Sequence, residues 1–287
     1  MQLQAHAKVN LVLSVTPGAL ESGYHEVRTV MCALDVHDEV EICQLAAGEG
    51  LSFSCRPDPL PAGADPASNL AVKAALAMAR AFDRALDVSI SIKKNVPSQA
   101  GLGGGSSDAA AVIRGLASLW GVQADERLAQ IARTLGADVA FFLNEVPSYL
   151  DGRGDVLRQT FVPFRAPAVL VKPAQGVSTG ACYRLLDQLS SPAPQVAPML
   201  AALEAGDAAS ALSHAANNMQ PAARQLAPAL DEVFCFLEGS EGLVAPVLLC
   251  GSGSCVCAFV ASQQDARRIA ADAAARGWWS CATSTLG

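Results

Sequence analysis

The run at residues 97–110, PSQAGLGGGSSDAA, limits this chain more than any other stretch. Gly101, Gly103, Gly104 and Gly105 put no side chain between the backbone and a neighbour, so successive N–H groups can close around an anion. Ser106 and Ser107 open a helix, whose first N–H groups and positive dipole end face the same point. Behind them Val112, Ile113, Leu116, Leu119 and Trp120 recur at helical spacing, and Gly121 closes the segment. Ahead of the loop, DVSISIKK alternates Val88, Ile90 and Ile92 toward one face and reads as a strand. Strand, glycine loop and helix in that order suit a phosphate group; taken alone the loop favours that reading over its alternative, a plain strand-to-helix connector. Two familiar phosphate motifs do not match. None of the five lysines follows a glycine as a P-loop needs, and no G-x-G-x-x-G opens a strand–helix–strand unit with an acidic residue at the required distance.

The remaining composition narrows the function classes. At 287 residues the expectation is two domains sharing a cleft, and with 51% apolar residues a sizeable core is easily buried. A formal charge of −7, with no Lys/Arg cluster longer than Lys93-Lys94 or Arg267-Arg268, argues against a nucleic-acid surface. The N-terminus MQLQAHAKVN lacks the basic-then-apolar layout of a signal peptide, which makes the cytoplasm the expected location. Residues 243–261 carry no charge, but a Gly-Ser-Gly-Ser centre divides them into two short strands and removes any membrane role. Nine cysteines, at 32, 43, 55, 182, 235, 250, 255, 257 and 281, include no Cys-x-x-Cys pair and read as buried free thiols.

Along the chain, HAKVNLVLSV reads as a strand, SNLAVKAALAMARAF as a helix capped by Ser68, and DERLAQIARTL as a helix ended by Gly136. The second half opens near residue 155. It offers a strand at APAVLVKP, a Ser/Thr-capped helix at STGACYRLLDQL, a proline-rich loop, and one Ala-rich helix from Met199 to Ala216. Paired strands around Gly251, a helix at SQQDARRIAADAAARG and a closing strand at WWSCATST complete an α+β arrangement without internal repeats.

The loop PSQAGLGGGSS resembles the Pro-x-x-x-Gly-Leu-Gly-x-x-Ser-Ser signature of the GHMP superfamily of small-molecule kinases. AKVNLVL (7–13), GYHEVRT (23–29), SNLAVKAA (68–75), GADVAFFL (136–143) and GSGSCVCAF (251–259), in this order, are similar to the 4-diphosphocytidyl-2-C-methyl-D-erythritol kinases within it. The resemblance covers nearly the whole chain. It implies a two-domain α+β GHMP fold, with a ribosomal S5 domain 2-like N-terminal domain over 1–154 and a ferredoxin-like C-terminal domain over 155–287. It also implies ATP with Mg²⁺, a cytidine diphosphate-linked methylerythritol as acceptor, and a monomer or weak homodimer.

Site residues follow by position. Lys8 and Asp138 match the family's catalytic pair. An alcohol of pKa ~15.7 is not deprotonated outright by a carboxylate near ~3.9, so Asp138 would accept the proton late, in a loose phosphoryl-transfer transition state. Lys8 would keep Asp138 ionised and neutralise charge on the γ-phosphoryl oxygens. Pro97, Ser98, Gln99, Ala100, Gly101, Leu102, Gly103, Gly104, Gly105, Ser106 and Ser107 match the ATP-phosphate loop, Asn69 and Lys94 the adenine side, and Ser107 is the candidate Mg²⁺ ligand. Asn10 lies on the Lys8 face by strand alternation and matches a substrate contact. Tyr24, His25 and Tyr183 match the cytosine pocket, where stacking and an imidazole edge suit a pyrimidine. Gly251, Ser252 and Gly253 match the loop that backs the phosphate site. Out of context each has a bland alternative: a solvated strand-end lysine, a turn carboxylate, a hairpin. Three positions depart from the family pattern: Ser22 replaces Asp, Ala140 replaces Pro and Asp155 replaces Glu. Another GHMP kinase, of homoserine or mevalonate, and a nucleotide-binding relative without catalysis are the competing readings.

Overall fold

The computed structural model describes residues 1–18, 24–58, 65–123, 126–189 and 191–287. In chain order the first strands and helices are β1 (Gln2–Val15), β2 (Val27–Gln44), β3 (Ser52–Arg56), α1 (Leu70–Phe82), β4 (Val88–Lys93), α2 (Gly104–Trp120) and α3 (Glu126–Leu135). Then come β5 (Ser148–Asp151), β6 (Val156–Thr160), β7 (Pro167–Lys172), α4 (Thr179–Leu186), α5 (Ala197–Glu204), α6 (Ala208–Ser213) and β8 (Ala216–Asn217). The chain closes with α7 (Gln220–Leu226), α8 (Ala229–Glu238), β9 (Leu248–Leu249), β10 (Val256–Phe259), α9 (Gln263–Ala275) and β11 (Trp279–Ser284).

Two compact units interleave along the sequence. The first comprises Met1–Ala7, Val36–Ser98 and Gly103–Glu145; the second comprises Lys8–Asp35, Gln99–Leu102 and Val146–Gly287. In the first unit the strand order is β3-β4-β2-β1, with β2 from Val36 onward and β1 up to Ala7. Ile90 and Ile92 of β4 stand opposite Ile42 and Val40 of β2, and all four are buried, while Ser91 and Lys93 face outward. This is the period-2 pattern that marked β4 in the sequence. Helix α2 packs on α1, and Gly115 is what lets it lie close to β2, since a Cβ there would meet Ile42 Cδ1 at 2.5 Å.

The second unit holds the four-stranded order β11-β7-β10-β9, all antiparallel. β7 is a central strand, which explains its unbroken apolar run, Ala168 to Val171, buried on both faces. Its core joins Val169 and Val171 with residues of α4, α7, α8 and α9, and with Leu13, Val15 and Val27 from far earlier in the chain. β1 also pairs in parallel with β8, Val12 opposite Ala216, and β2 pairs with β5, Val30 opposite Tyr149.

Several local expectations change. The cap of α1 is Asn69, whose side chain accepts from Ala71 N; Ser68 ends a short 3-10 turn that Asp65 caps. The Ala-rich run is two helices, because Gly206 turns the chain at φ +71° and the Asp207 side chain caps α6 through Ser210 N. Of the nine free thiols, Cys43 and Cys235 are exposed and Cys281 is half-buried. Among the described residues no helix is long and apolar enough to cross a membrane.

Candidate functional site

The glycine loop passes through both units, and each part is set by its own neighbours. Backbone φ is positive at every second residue, at Gln99 (+52°), Gly101 (+76°) and Gly103 (+73°), a geometry suited to an anion-binding nest. In the second unit the loop is bonded to the segment around Gly251: Ser254 N donates to Gln99 O at 3.2 Å and Cys255 N to Ala100 O at 3.0 Å. Lys8 N donates to Leu102 O at 2.9 Å. A Cβ on Gly101 would stand 1.8 Å from the Cys250 carbonyl oxygen, and one on Gly251 would stand 3.0 Å from Gly101 O. Gly101 is therefore demanded by protein packing, quite apart from any ligand. Asn217 Nδ2 holds the other side of the Gly251 turn through Leu249 O at 2.8 Å and Gly251 O at 2.7 Å, and Ser252 Oγ meets Thr179 Oγ1 at 2.8 Å. Gly253 N closes the turn on Cys250 O at 2.8 Å.

In the first unit α2 starts at Gly104 with no side-chain cap at Gly103 and no acidic residue in its first turn, so no side chain of that turn offsets its positive end. A Cβ on Gly105 would meet nothing within 4 Å. Ser107 is buried and its hydroxyl donates to Gly104 O at 2.9 Å. Below this helix start lies a buried charge cluster absent from the sequence reading. Lys94 Nζ is held between Asp38 Oδ2 and Asp108 Oδ2, the latter at 2.6 Å. Asp38 Oδ1 accepts from Asn95 N at 2.6 Å and Val96 N at 2.8 Å, while Asp108 Oδ1 is buried without a partner. Burial pushes the Asp108 carboxyl up to about 7, against the pull of the Lys94 ammonium. Lys94, expected beside adenine, thus has its ammonium, 3.3 Å from a Cβ placed on Gly104, committed to two carboxylates.

Lys8 and Asn10 share a face of β1, as strand alternation requires, and the Lys8 ammonium donates to Asn10 Oδ1 at 2.5 Å. Asn10 Nδ2 continues to Thr29 Oγ1 at 2.8 Å, which donates to Val12 O at 2.7 Å, so the Lys8 head is positioned by a fully buried relay. Asp138 belongs to the first unit, in the turn between α3 and the 3-10 segment Phe141–Leu143. Arg114 of α2 steadies that turn through Phe142 O at 2.5 Å and Glu145 at 3.0 Å. Ala140, in place of proline, keeps φ −64°, the value a proline ring would impose. Ser22 lies outside the described residues.

His25 and Tyr183 come together in the second unit, ring centroids 4.8 Å apart at 48°. Asp187, four residues after Tyr183, accepts from Gly18 N at 2.8 Å and meets His25 Nε2 at 2.7 Å. Those bonds hold its carboxyl below the usual range. Tyr24 is exposed and lies under the Arg153 guanidinium, 4.9 Å from the ring centre. Asp155 holds that arginine by Nη2 at 2.7 Å and by its backbone N at 3.0 Å. Burial raises the Asp155 carboxyl and the Arg153 bonds outweigh it, leaving it low. The aspartate that departs from the family pattern therefore steadies a Tyr24 partner. Asp187, Arg153, Asp38 and Asp108 were missed from sequence; only the i, i+4 spacing of Tyr183 and Asp187 on one helix face was there to be read.

Two family models match: GHMP kinases N terminal domain over residues 69–145 and GHMP kinases C terminal over 199–277. A 4-diphosphocytidyl-2-C-methyl-D-erythritol kinase of Citrifermentans bemidjiense is 36% identical, covering 100% of this chain and 99% of its own. One of Exiguobacterium sibiricum is 35% identical, over 93% and 91% respectively. The crystal structure of a 4-(cytidine 5'-diphospho)-2C-methyl-D-erythritol kinase aligns over the full length of both chains at 33% identity, with a TM-score of 0.82. The L. major mevalonate kinase in complex with R-mevalonate shares only the fold, at 16% identity and a TM-score of 0.71. With its glycine loop, its two α+β units and this similarity along its whole length, the chain belongs to the GHMP kinases, ATP-dependent enzymes of small molecules, in the family of the 4-diphosphocytidyl-2-C-methyl-D-erythritol kinases.

Proposed function

We propose that this chain transfers the γ-phosphoryl group of ATP to the 2-hydroxyl of 4-diphosphocytidyl-2-C-methyl-D-erythritol, a step of the methylerythritol phosphate route to isoprenoids. One observation carries the choice of substrate: relatives near 35% identity over more than nine-tenths of the chain bear this substrate in their names.

In this reading residues 97–107 receive the triphosphate. Their support is the positive-φ backbone of Gln99, Gly101 and Gly103, and the uncapped start of α2. The turn of Gly251, Ser252 and Gly253 backs them. Asn69 serves the adenine side, where Lys94 takes part only through the Asp38 and Asp108 carboxylates that hold its ammonium, and Tyr24, His25, Tyr183 and Asn10 serve the cytidine-linked alcohol. Asp138 accepts the hydroxyl proton late in transfer, and Lys8, oriented by Asn10, offsets the growing phosphoryl charge. Mg²⁺ would be held by Ser107 Oγ together with phosphate oxygens and would neutralise phosphate charge. Ser107 Oγ gives its proton to Gly104 O, which keeps its oxygen lone pairs for a cation, and because the side chain is buried that cation would have to reach it at the start of α2. Residues 1–154 and 155–287 are the corresponding family domains, and the enzyme works in the cytoplasm as a monomer or weak homodimer.

The test is a coupled assay of ADP release, run with the cytidine-linked alcohol, homoserine and mevalonate. ADP release with the first alone is expected; turnover of only homoserine or mevalonate refutes the assignment.

A further inference from the structure

Asp187 stands at the wrong end of its helix. It caps the C-terminus of α4, where the helix dipole disfavours a negative charge. What compensates it lies outside the helix: Gly18 N at 2.8 Å and His25 Nε2 at 2.7 Å, both on one carboxylate oxygen, Oδ1. One turn earlier on α4, Tyr183 places its ring against the His25 ring. A single helix end therefore fixes both the imidazole and the aromatic that packs on it.

The chemistry of that contact is directional. An ionised carboxylate only accepts hydrogen bonds, so Nε2 of His25 must carry the proton it donates. In the neutral ring Nδ1 then has the lone pair and is an acceptor. Reversing the tautomer would set two lone pairs against each other at 2.7 Å. An Nδ1 acceptor accommodates the 4-amino group of cytosine, which donates; it opposes the 4-keto oxygen of uracil, which only accepts.

We propose that Asp187 is a positioning residue for base selectivity, holding His25 in the tautomer that accepts from an exocyclic amino group and so favours a cytidine over a uridine diphosphate moiety. The inference rests on the proposed function, in which His25 meets the base, and it adds the residue that decides what His25 can recognise. Asp187 touches neither base nor phosphate in this scheme.

The experiment compares wild type, Asp187→Asn and Asp187→Ala on the cytidine-linked alcohol and on its uridine-linked counterpart, with KM and kcat measured separately. Asp187→Ala should lower the cytidine-to-uridine ratio of kcat/KM by roughly tenfold, the weight of about one hydrogen bond, through KM for the nucleotide-linked alcohol. KM for ATP should stay unchanged. Asp187→Asn, whose amide oxygen still accepts from Nε2, should keep most of the preference. Nitrogen-15 spectra of the His25 ring should place the proton on Nε2 in wild type and Asp187→Asn, and on both nitrogens in mixture in Asp187→Ala. An unchanged ratio in folded Asp187→Ala, or equal losses in the Asn and Ala variants, overturns the role of Asp187 alone. A wild type inert on both nucleotide-linked alcohols overturns the kinase reading and the inference with it.

Discussion

Gly101→Ala tests whether the glycine loop is shaped first by its protein neighbours. Its Cβ would lie 1.8 Å from Cys250 O and 2.6 Å from Cys250 C, both backbone atoms that no rotamer change can move aside. Reaching ordinary contact requires the two segments to part by about 1.5–2 Å. That displacement breaks the bonds from Cys255 N to Ala100 O and from Ser254 N to Gln99 O, now 3.0 and 3.2 Å. Two backbone bonds contribute about 0.5–1.5 kcal/mol each. Holding alanine at φ +76° adds about 1–2 kcal/mol. The expected loss is roughly 2–5 kcal/mol, a large share of a typical stability of about 5–15 kcal/mol. Urea unfolding should show a lower midpoint at unchanged slope. ATP titration of the folded fraction should show weaker binding, since the displaced segment includes part of the proposed phosphate loop. A loss below about 1 kcal/mol with wild-type ATP affinity would refute this account, because the threshold is less than the strain at this φ alone.

Gly105→Ala should do the opposite to stability: with open space around its Cβ and a place in the first turn of α2, it should gain about 0.5–1 kcal/mol while weakening ATP binding, and unweakened binding in calorimetry would argue that the phosphates lie elsewhere. Asp138→Asn should retain ATP affinity and lose about 10²–10⁴ in kcat, the usual weight of a positioned acid or base; wild-type turnover in the folded variant excludes the role. Asp108 should make stability depend on pH. Its carboxyl titrates at about 7 in the folded protein, up from its ordinary 3.8, so between these values the folded state holds a proton that the unfolded chain has lost. Its contribution to stability therefore falls as pH rises from about 4 to about 7 and then levels off. Asp108→Asn should lack this slope, and melting curves of the two proteins that stay parallel across the range would contradict it.

The elements legible in the sequence are those whose cause is local. α2 announces itself by apolar spacing and by Gly121, which takes φ +66° at its C-cap, and β4 by its alternation. β2, 18 residues long, was missed, as were β5 and β6, because their pairing partners are distant or their faces mixed, with β6 exposed along most of its length. The same divide runs through the site. Lys8 and Asn10 share a face for reasons of strand geometry alone. The commitment of Lys94 to Asp38 and Asp108 joins residues 56 and 14 positions away, and no periodicity encodes that. Asp187 reaches His25 across 162 positions, so only the folded chain brings imidazole and carboxylate together.

The interleaving of the two units has a consequence in time. Val15 hydrogen-bonds to Asn218, 203 positions later, and Leu13, Val15 and Val27 complete a core otherwise built from residues 169–273. At a synthesis rate of about 5–20 residues per second, the end of β1 waits about 10–40 s on the ribosome before its β8 partner exists. Throughout that interval one edge of an apolar strand is without its neighbour, the condition in which nascent chains recruit holding chaperones. A gene cut between codons 154 and 155 would yield two fragments, and the C-terminal one would lack three side chains of its own core. Evolution can therefore exchange this half between relatives only together with the strand that opens the chain and the first residue of β2.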